Sequence, residues 1–195
     1  MPPPLTCPWG IHPVFRHTNI ANGVSEKFDP EEFKDSELMF LHAHGPGTAP
    51  YPETRPFSSL DDLNGLKIRS TGTSGRLVAA LGASPVGKSM GCNGSRCCKK
   101  GSWTDPLHPM ETNKGWKVGE VVDYMTQNFS TAYTTTFAVF MNKDKWNSLT
   151  PEQQKTIREI NAEFALKHGQ AWDESDEEGT AFFKEKGGEV ISPVR

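Results

Sequence analysis

The chain has 195 residues, with 21 Lys and Arg against 24 Asp and Glu, a formal net charge of −3, and 35% hydrophobic residues. That length can bury a real core, so a disulfide miniprotein and a disordered tail are excluded. The near-neutral balance offers no bulk attraction to nucleic acid, and no apolar run approaches the roughly 18 residues needed to span a bilayer.

Residues 1–24 hold five prolines and two histidines without periodicity and read as irregular. The start Met1-Pro2-Pro3-Pro4-Leu5-Thr6 shows neither a basic segment nor an apolar stretch, so as it stands it predicts no secretory leader and a cytoplasmic product. Glu26 to Lys34 is a short charged segment compatible with a helix end. Glu37 to His44 reads as a buried strand running into the turn Gly45-Pro46-Gly47. Ser59-Leu60-Asp61-Asp62 has the shape of a helix start, closed by Asn64-Gly65. Leu66 to Ser70 alternates as a strand, Thr71 to Ser74 turns, and a helix follows through Leu77, Val78, Ala80 and Leu81 to Gly82. This strand–turn–helix unit announces an α/β layer. Residues 87–109 have no apolar period. Order returns from Lys114 to Val122, and Phe129 to Met141 is rich in β-branched and aromatic residues and reads as a long strand. Thr150-Pro151-Glu152-Gln153 is a capping box with proline at the first helical position, followed by Ile157, Ile160 and Phe164 at helical spacing. Lys184 and Lys186 mark a helix end beyond an acidic stretch from Asp173 to Glu178.

Several patterns bear on chemistry. Gly82 to Ser89 satisfies the spacing of a phosphate-binding loop, but a helix precedes it and Pro85 interrupts it, which is the wrong context. Cys92, Cys97 and Cys98, with His108 downstream, match no zinc-knuckle spacing, and the adjacent Cys97-Cys98 pair makes a poor disulfide framework. His42 and His44 share one face of a strand, a geometry open to a metal but more usual at an ordinary strand end. Arg69 closes a strand just before a helix start. Its guanidinium fork and the helix N-terminus together suit a carboxylate at the carboxyl end of a strand; an exposed surface arginine is the other reading. No nucleophile–base pair, acid/base carboxylate pair or metal set stands out, so an enzyme is not expected and no cofactor or metal is assigned.

The segments Leu41 to Gly47, Leu60 to Ser70, Leu81 to Val86, Gly115 to Val122 and Tyr133 to Trp146 occur in one order. Together they resemble the dicarboxylate-binding family of solute-binding subunits from TRAP (tripartite ATP-independent periplasmic) transporters. The resemblance covers residues 38–90 and 107–190. It implies an α/β, periplasmic-binding-protein-like two-lobed fold with the first lobe largely missing, so that the chain is a C-terminal fragment. The implied division is 1–44 as a remnant of the first lobe, 45–141 as the second lobe and 142–195 as helices returning to pack on the lobes. It also implies a periplasmic location, a small organic acid as ligand, and the membrane permease subunits as partners. In the family an arginine of the Gly-Leu-Lys-Ile-Arg segment grips the ligand carboxylate, which by resemblance is Arg69. His108, Met110, Tyr133 and Thr134 would border the cleft, with His42 and His44 near the lobe junction. Two alternatives remain at this level: a small metal- or nucleotide-binding enzyme using Cys92, Cys97 and Cys98 or the Gly82–Ser89 loop, and a fragment that binds nothing.

Residues 91–106 depart from the family pattern. Reading Cys97 to Pro106 one base earlier, with permitted codons, yields Leu-Leu-Gln-Lys-Gly-Val-Val-Asp-Gly-Ser, which is the family pattern and joins directly to Leu107. A local frameshift is therefore expected, leaving Gly91, Cys92, Gly94, Cys97, Cys98 and Trp103 without function. Sequencing the coding DNA is expected to show a single-base shift restored near Leu107; DNA in which no such shift recovers that helix sinks the idea. The 18 glycines and 15 prolines, about 17% of the chain against an ordinary total of roughly 12%, concentrate in residues 1–13 and 82–109, where the resemblance is weakest.

Overall fold

The computed structural model describes residues 14–43, 48–51, 59–70, 72–87, 109–127 and 135–191. The polypeptide divides into two compact units, Met1–Gly45 with Thr134–Glu174, and Pro46–Tyr133 with Ser175–Arg195.

Unit 1 is built on two antiparallel strands, β1 (Ser36–Ala43) and β6 (Thr136–Asn142), with a bulge between Leu38 and Phe40. A helix, α1 (Val14–Phe28), packs on β1, where the sequence reads as irregular. The reason is visible in its side chains. Thr18, Asn22 and Ser25 share the inward face, and Ile20, Val24 and Phe28 point outward, 56%, 49% and 68% exposed. The ordinary apolar-in pattern is inverted, so a search for a buried apolar stripe passes over the helix. Polar residues face inward because β1 has backbone groups to satisfy. The Asn22 amide donates to the Leu41 carbonyl at 2.7 Å and accepts from the Leu41 N–H at 2.8 Å, and Ala43 N–H donates to the Thr18 hydroxyl at 3.2 Å.

β6 runs into a short helix, α4 (Lys143–Asn147), capped by Asn142, whose side chain accepts from Lys145 N–H. The capping box read at Thr150 forms: Thr150 N–H donates to Gln153 Oε1 at 2.9 Å and Gln153 N–H to Thr150 Oγ1 at 3.2 Å. It starts α5 (Pro151–Glu185), which is 35 residues long and contributes to both units. Its acidic stretch from Asp173 to Glu178 is helical, and it ends on Gly187 at φ 89°, with Gly188 N–H bonded to the Phe183 carbonyl and Gly187 N–H to that of Lys184.

Glu37 on β1 pairs with Lys143 at 2.9 Å and Arg158 at 3.3 Å. Burial pushes its carboxyl up, but the bonds and charges of Lys143 and Arg158 outweigh that and hold it below the ordinary carboxylate range. A depressed carboxylate stabilises the fold above its unfolded pKa, and the benefit is lost as pH falls through the folded value. Glu37→Gln is therefore expected to lower the thermal midpoint at pH 7, and the gap to wild type should close below about pH 4. A gap that stays constant across that range would sink this reading.

In unit 2, β2 (Thr48–Tyr51) and β5 (Tyr124–Gln127) are antiparallel, and β5 runs parallel to β7 (Glu189–Ile191). A second, two-stranded parallel sheet joins β3 (Lys67–Arg69) to β4 (Ser84–Val86). Between these last two strands lies α2 (Thr73–Ala80), and a short helix, α3 (Thr112–Gly115), precedes β5. The sequence reading identifies β3 and α2 but passes over β2, β4, β5 and β7. Each is only three or four residues long, too short for alternation to register, and two contain proline (Pro50, Pro85). The Ser59 capping box forms, but over a single 3-10 turn, Leu60–Leu63. Two apolar clusters make the core of this unit. Leu63, Ile68, Val78 and Ala83 form one; Met110, Val118, Val122, Met125 and Phe183 form the other.

The described part of the phosphate-loop alternative, from Gly82 to Gly87, is a helix stop followed by a short strand. Gly82 has φ 91° and ends α2: its N–H bonds the Ala79 carbonyl, and Ala83 N–H bonds that of Val78. Ala83 then buries against Val78, the apolar contact that accompanies such a helix stop. The next residues form β4, and Lys88 and Ser89, which complete the motif, lie outside the described residues.

Candidate functional site

The most suggestive corner lies in unit 2, at the carboxyl end of β3. Arg69 is the last residue of that strand, directly opposite Val86 of parallel β4. Ser70 N–H continues the ladder to the Val86 carbonyl at 3.1 Å. The chain then turns through Gly72 at φ 53°, a left-handed value that suits glycine, and α2 begins at Thr73. The backbone thus carries the arginine straight into the amino end of a helix, as the alternation and turn residues predict. The Arg69 side chain lies outside what is described.

Ser70 enlarges this corner. It is 7% exposed, and its buried hydroxyl has no hydrogen-bond partner among the described residues. A Cβ placed on Gly75, in the first turn of α2, would stand 3.4 Å from that hydroxyl, so the glycine lets the two segments approach. Sequence reasoning stopped at Arg69. The signal for Ser70 was its period-two spacing from the buried Ile68, which places a polar side chain on the buried face of the strand.

In unit 1, His42 sits within a group of rings. Trp172 Nε1–H donates to His42 Nδ1 at 3.2 Å, and the two planes differ by 23°. Phe137 lies 5.1 Å from His42 at 26°, and His168 5.0 Å from it at 45°. Accepting through Nδ1 makes His42 the Nε2–H tautomer while the bond is intact. Nothing in the local sequence pairs His42 with Trp172, because strand and helix are brought together only by folding.

Met110 packs in the second apolar cluster of unit 2, 6% exposed. His44, His108, Tyr133 and Thr134 lie outside the described residues, as do Cys92, Cys97 and Cys98. Among the described residues no three His, Cys, Asp or Glu side chains are grouped to hold a metal, and no helix is long and apolar enough to cross a membrane.

Residues 30–195 match the model of the bacterial extracellular solute-binding proteins, family 7. The chain belongs to this family. Its members are binding proteins, not enzymes. Solved structures agree on the fold. A TRAP periplasmic solute-binding protein from Desulfovibrio salexigens is 26% identical, with a TM-score of 0.77 over 93% of this chain and 56% of that one. A marine-metagenome TRAP solute-binding protein specific for aromatic acids, in complex with metahydroxyphenylacetate, is 25% identical, with a TM-score of 0.79 over 94% of this chain and 58% of that one. A Bordetella bronchiseptica TRAP periplasmic solute-binding protein with bound (R)- and (S)-mandelate is 25% identical, with a TM-score of 0.78 over 93% of this chain and 58% of that one. This family-7 chain therefore spans a little over half the length of the structures it matches.

Proposed function

We propose that this family-7 chain takes part in binding a small organic acid outside the cytoplasm, for delivery to the membrane permease subunits of a TRAP transporter. The observation that carries the reading is the place of Arg69, at the carboxyl end of β3 with the amino end of α2 following at Thr73. Open α/β sheets receive ligands at the carboxyl ends of their strands. A guanidinium there offers two parallel N–H donors to one carboxylate, and the dipole and first-turn amides of the helix favour the same negative charge. The ligands named for the marine-metagenome and Bordetella relatives, metahydroxyphenylacetate and mandelate, both carry a carboxylate. The bordering roles of His108, Met110, Tyr133, Thr134, His42 and His44 belong to the same proposal.

Titration calorimetry with mandelate, benzoate and succinate tests it. Arg69→Ala is expected to weaken binding by about 100-fold or more, the loss of two charge-assisted hydrogen bonds. Arg69→Lys should fall between, because it keeps the charge without the fork. Wild-type affinity in Arg69→Ala, or no binding of any of these acids to the wild-type chain, would refute the proposal.

A further inference from the structure

Three asparagines in the chain are followed by glycine, Asn22, Asn64 and Asn93, and the last lies outside the described residues. The other two are held very differently. Asn22 sits in α1 with its amide nitrogen bonded to the Thr18 and Leu41 carbonyls, both at 2.7 Å, and its amide oxygen to the Leu41 N–H at 2.8 Å. Gly23 lies inside the same helix, so its N–H belongs to the helical ladder. Asn64 is exposed and, among the described residues, its side chain makes no hydrogen bond. With φ −61° and ψ 125° at Asn64 and φ 82° at Gly65, Leu63 to Leu66 form a type II turn, closed by Leu66 N–H to the Leu63 carbonyl at 3.1 Å. The turn's bond uses the Leu66 N–H and not that of Gly65, and a Cβ on Gly65 would meet nothing within 4 Å.

We infer that Asn64 is a site of self-modification, converting by deamidation to isoaspartate. The Gly65 main-chain nitrogen, after losing its proton to hydroxide, attacks Cγ of Asn64. The side-chain nitrogen takes a proton from water and leaves as ammonia, and a five-membered succinimide remains. Water then opens the ring. Cleavage between the Gly65 nitrogen and the Asn64 main-chain carbonyl gives isoaspartate, whose backbone runs through Cβ and Cγ. One water is taken up and one ammonia released, with no oxidant or reductant. Glycine at 65 has no Cβ to obstruct the attack, and it lets the peptide plane turn toward Cγ at little steric cost. The place of the turn gives the change a structural effect, because the main chain grows by one methylene there. Leu63, 3% exposed, belongs to the apolar cluster of Ile68, Val78 and Ala83, and Leu66 packs against it. The Leu66 carbonyl accepts from Ser84 N–H at 2.8 Å, the bond that starts the β3–β4 ladder. A Cβ on Gly82 would come within 2.9 Å of Asn64 Oδ1, so the turn also lies against the glycine stop of α2. A longer turn cannot keep Leu63 and Leu66 in place together, and β3, which ends on Arg69, loosens against β4.

The test ages the 195-residue chain at mildly alkaline pH, under conditions where it stays folded. Each Asn-Gly peptide is followed by mass spectrometry and by isoaspartyl methyltransferase labelling. The expected result is isoaspartate at Asn64 at least about tenfold faster than at Asn22, whereas the chain unfolded in urea converts at both with similar rates. Hydrogen exchange of the β3 and β4 amides in the aged protein is expected to quicken by about tenfold or more. Asn64→Gln, an exposed change whose longer side chain closes the ring far less readily, should age without either effect. Its thermal midpoint before ageing, equal to that of wild type, shows that it is folded. Three outcomes overturn the inference: Asn64 intact in the folded protein while the unfolded chain converts, Asn22 and Asn64 converting equally fast in the folded protein, and isoaspartate at Asn64 that leaves β3 and β4 exchange unchanged.

Discussion

Gly179→Ala is expected to destabilise the protein by about 3 kcal/mol or more, and so to lower the thermal midpoint by roughly 6–12 °C. The sign is what makes this informative. In the interior of a helix, alanine is ordinarily better than glycine by about 1 kcal/mol, so α5 on its own would gain from the change. The segment from Pro109 to Glu111 prevents that gain. It crosses α5 so closely that a Cβ on Gly179 would overlap the Met110 carbonyl and the Glu111 Cα. These are backbone atoms and cannot swing aside as the tip of a side chain can. The crossing is also tied down: Glu111 N–H donates to Asp176 Oδ1 at 2.9 Å, and the Thr112 hydroxyl donates to the Pro109 carbonyl at 2.8 Å. Urea unfolding of the two proteins decides the matter. An alanine variant as stable as wild type would show that the backbone does not pass so close.

Phe183→Ala is expected to cost about 3–5 kcal/mol, the range for truncating a fully buried aromatic ring. Phe183 has no exposed surface and packs with Met110, Val118, Val122 and Met125, so one ring holds α5 against the segments around α3 and β5. Its pocket is shaped by glycines. A Cβ on Gly119 would come within 3.3 Å of the ring, and one on Gly188 would overlap it. A second expectation follows. Gly188→Ala alone should be strongly destabilising, yet in the Phe183→Ala background most of that cost should vanish, because the atom it strikes is gone. A double-mutant cycle measures this as an interaction energy of about 1–3 kcal/mol. Strictly additive losses would mean that Gly188 is required for its backbone rather than for room.

The sequence alone determined the parts of this protein whose signal is local. The capping box at Thr150, the alternation from Leu66 to Ser70 and the glycine stop at Gly82 each depend on a few adjacent residues; the box and the stop form, and the alternation gives the strand Lys67–Arg69. For the same reason the corner that carries Arg69 was legible as strand, turn and helix start. Tertiary structure decided whatever depends on residues far apart in the chain. α1 exists with its polar face inward because β1 needs partners for Leu41 and Ala43, a demand no window around Thr18 reveals. The short strands β2, β4, β5 and β7 take their extended form from the neighbours they pair with. The bond from Trp172 to His42, and the buried hydroxyl of Ser70 beside Gly75, likewise arise only when separate elements meet. Local propensity settles backbone shape over one or two turns, whereas hydrogen bonds and packing between distant segments settle which face is buried and which residues share a site.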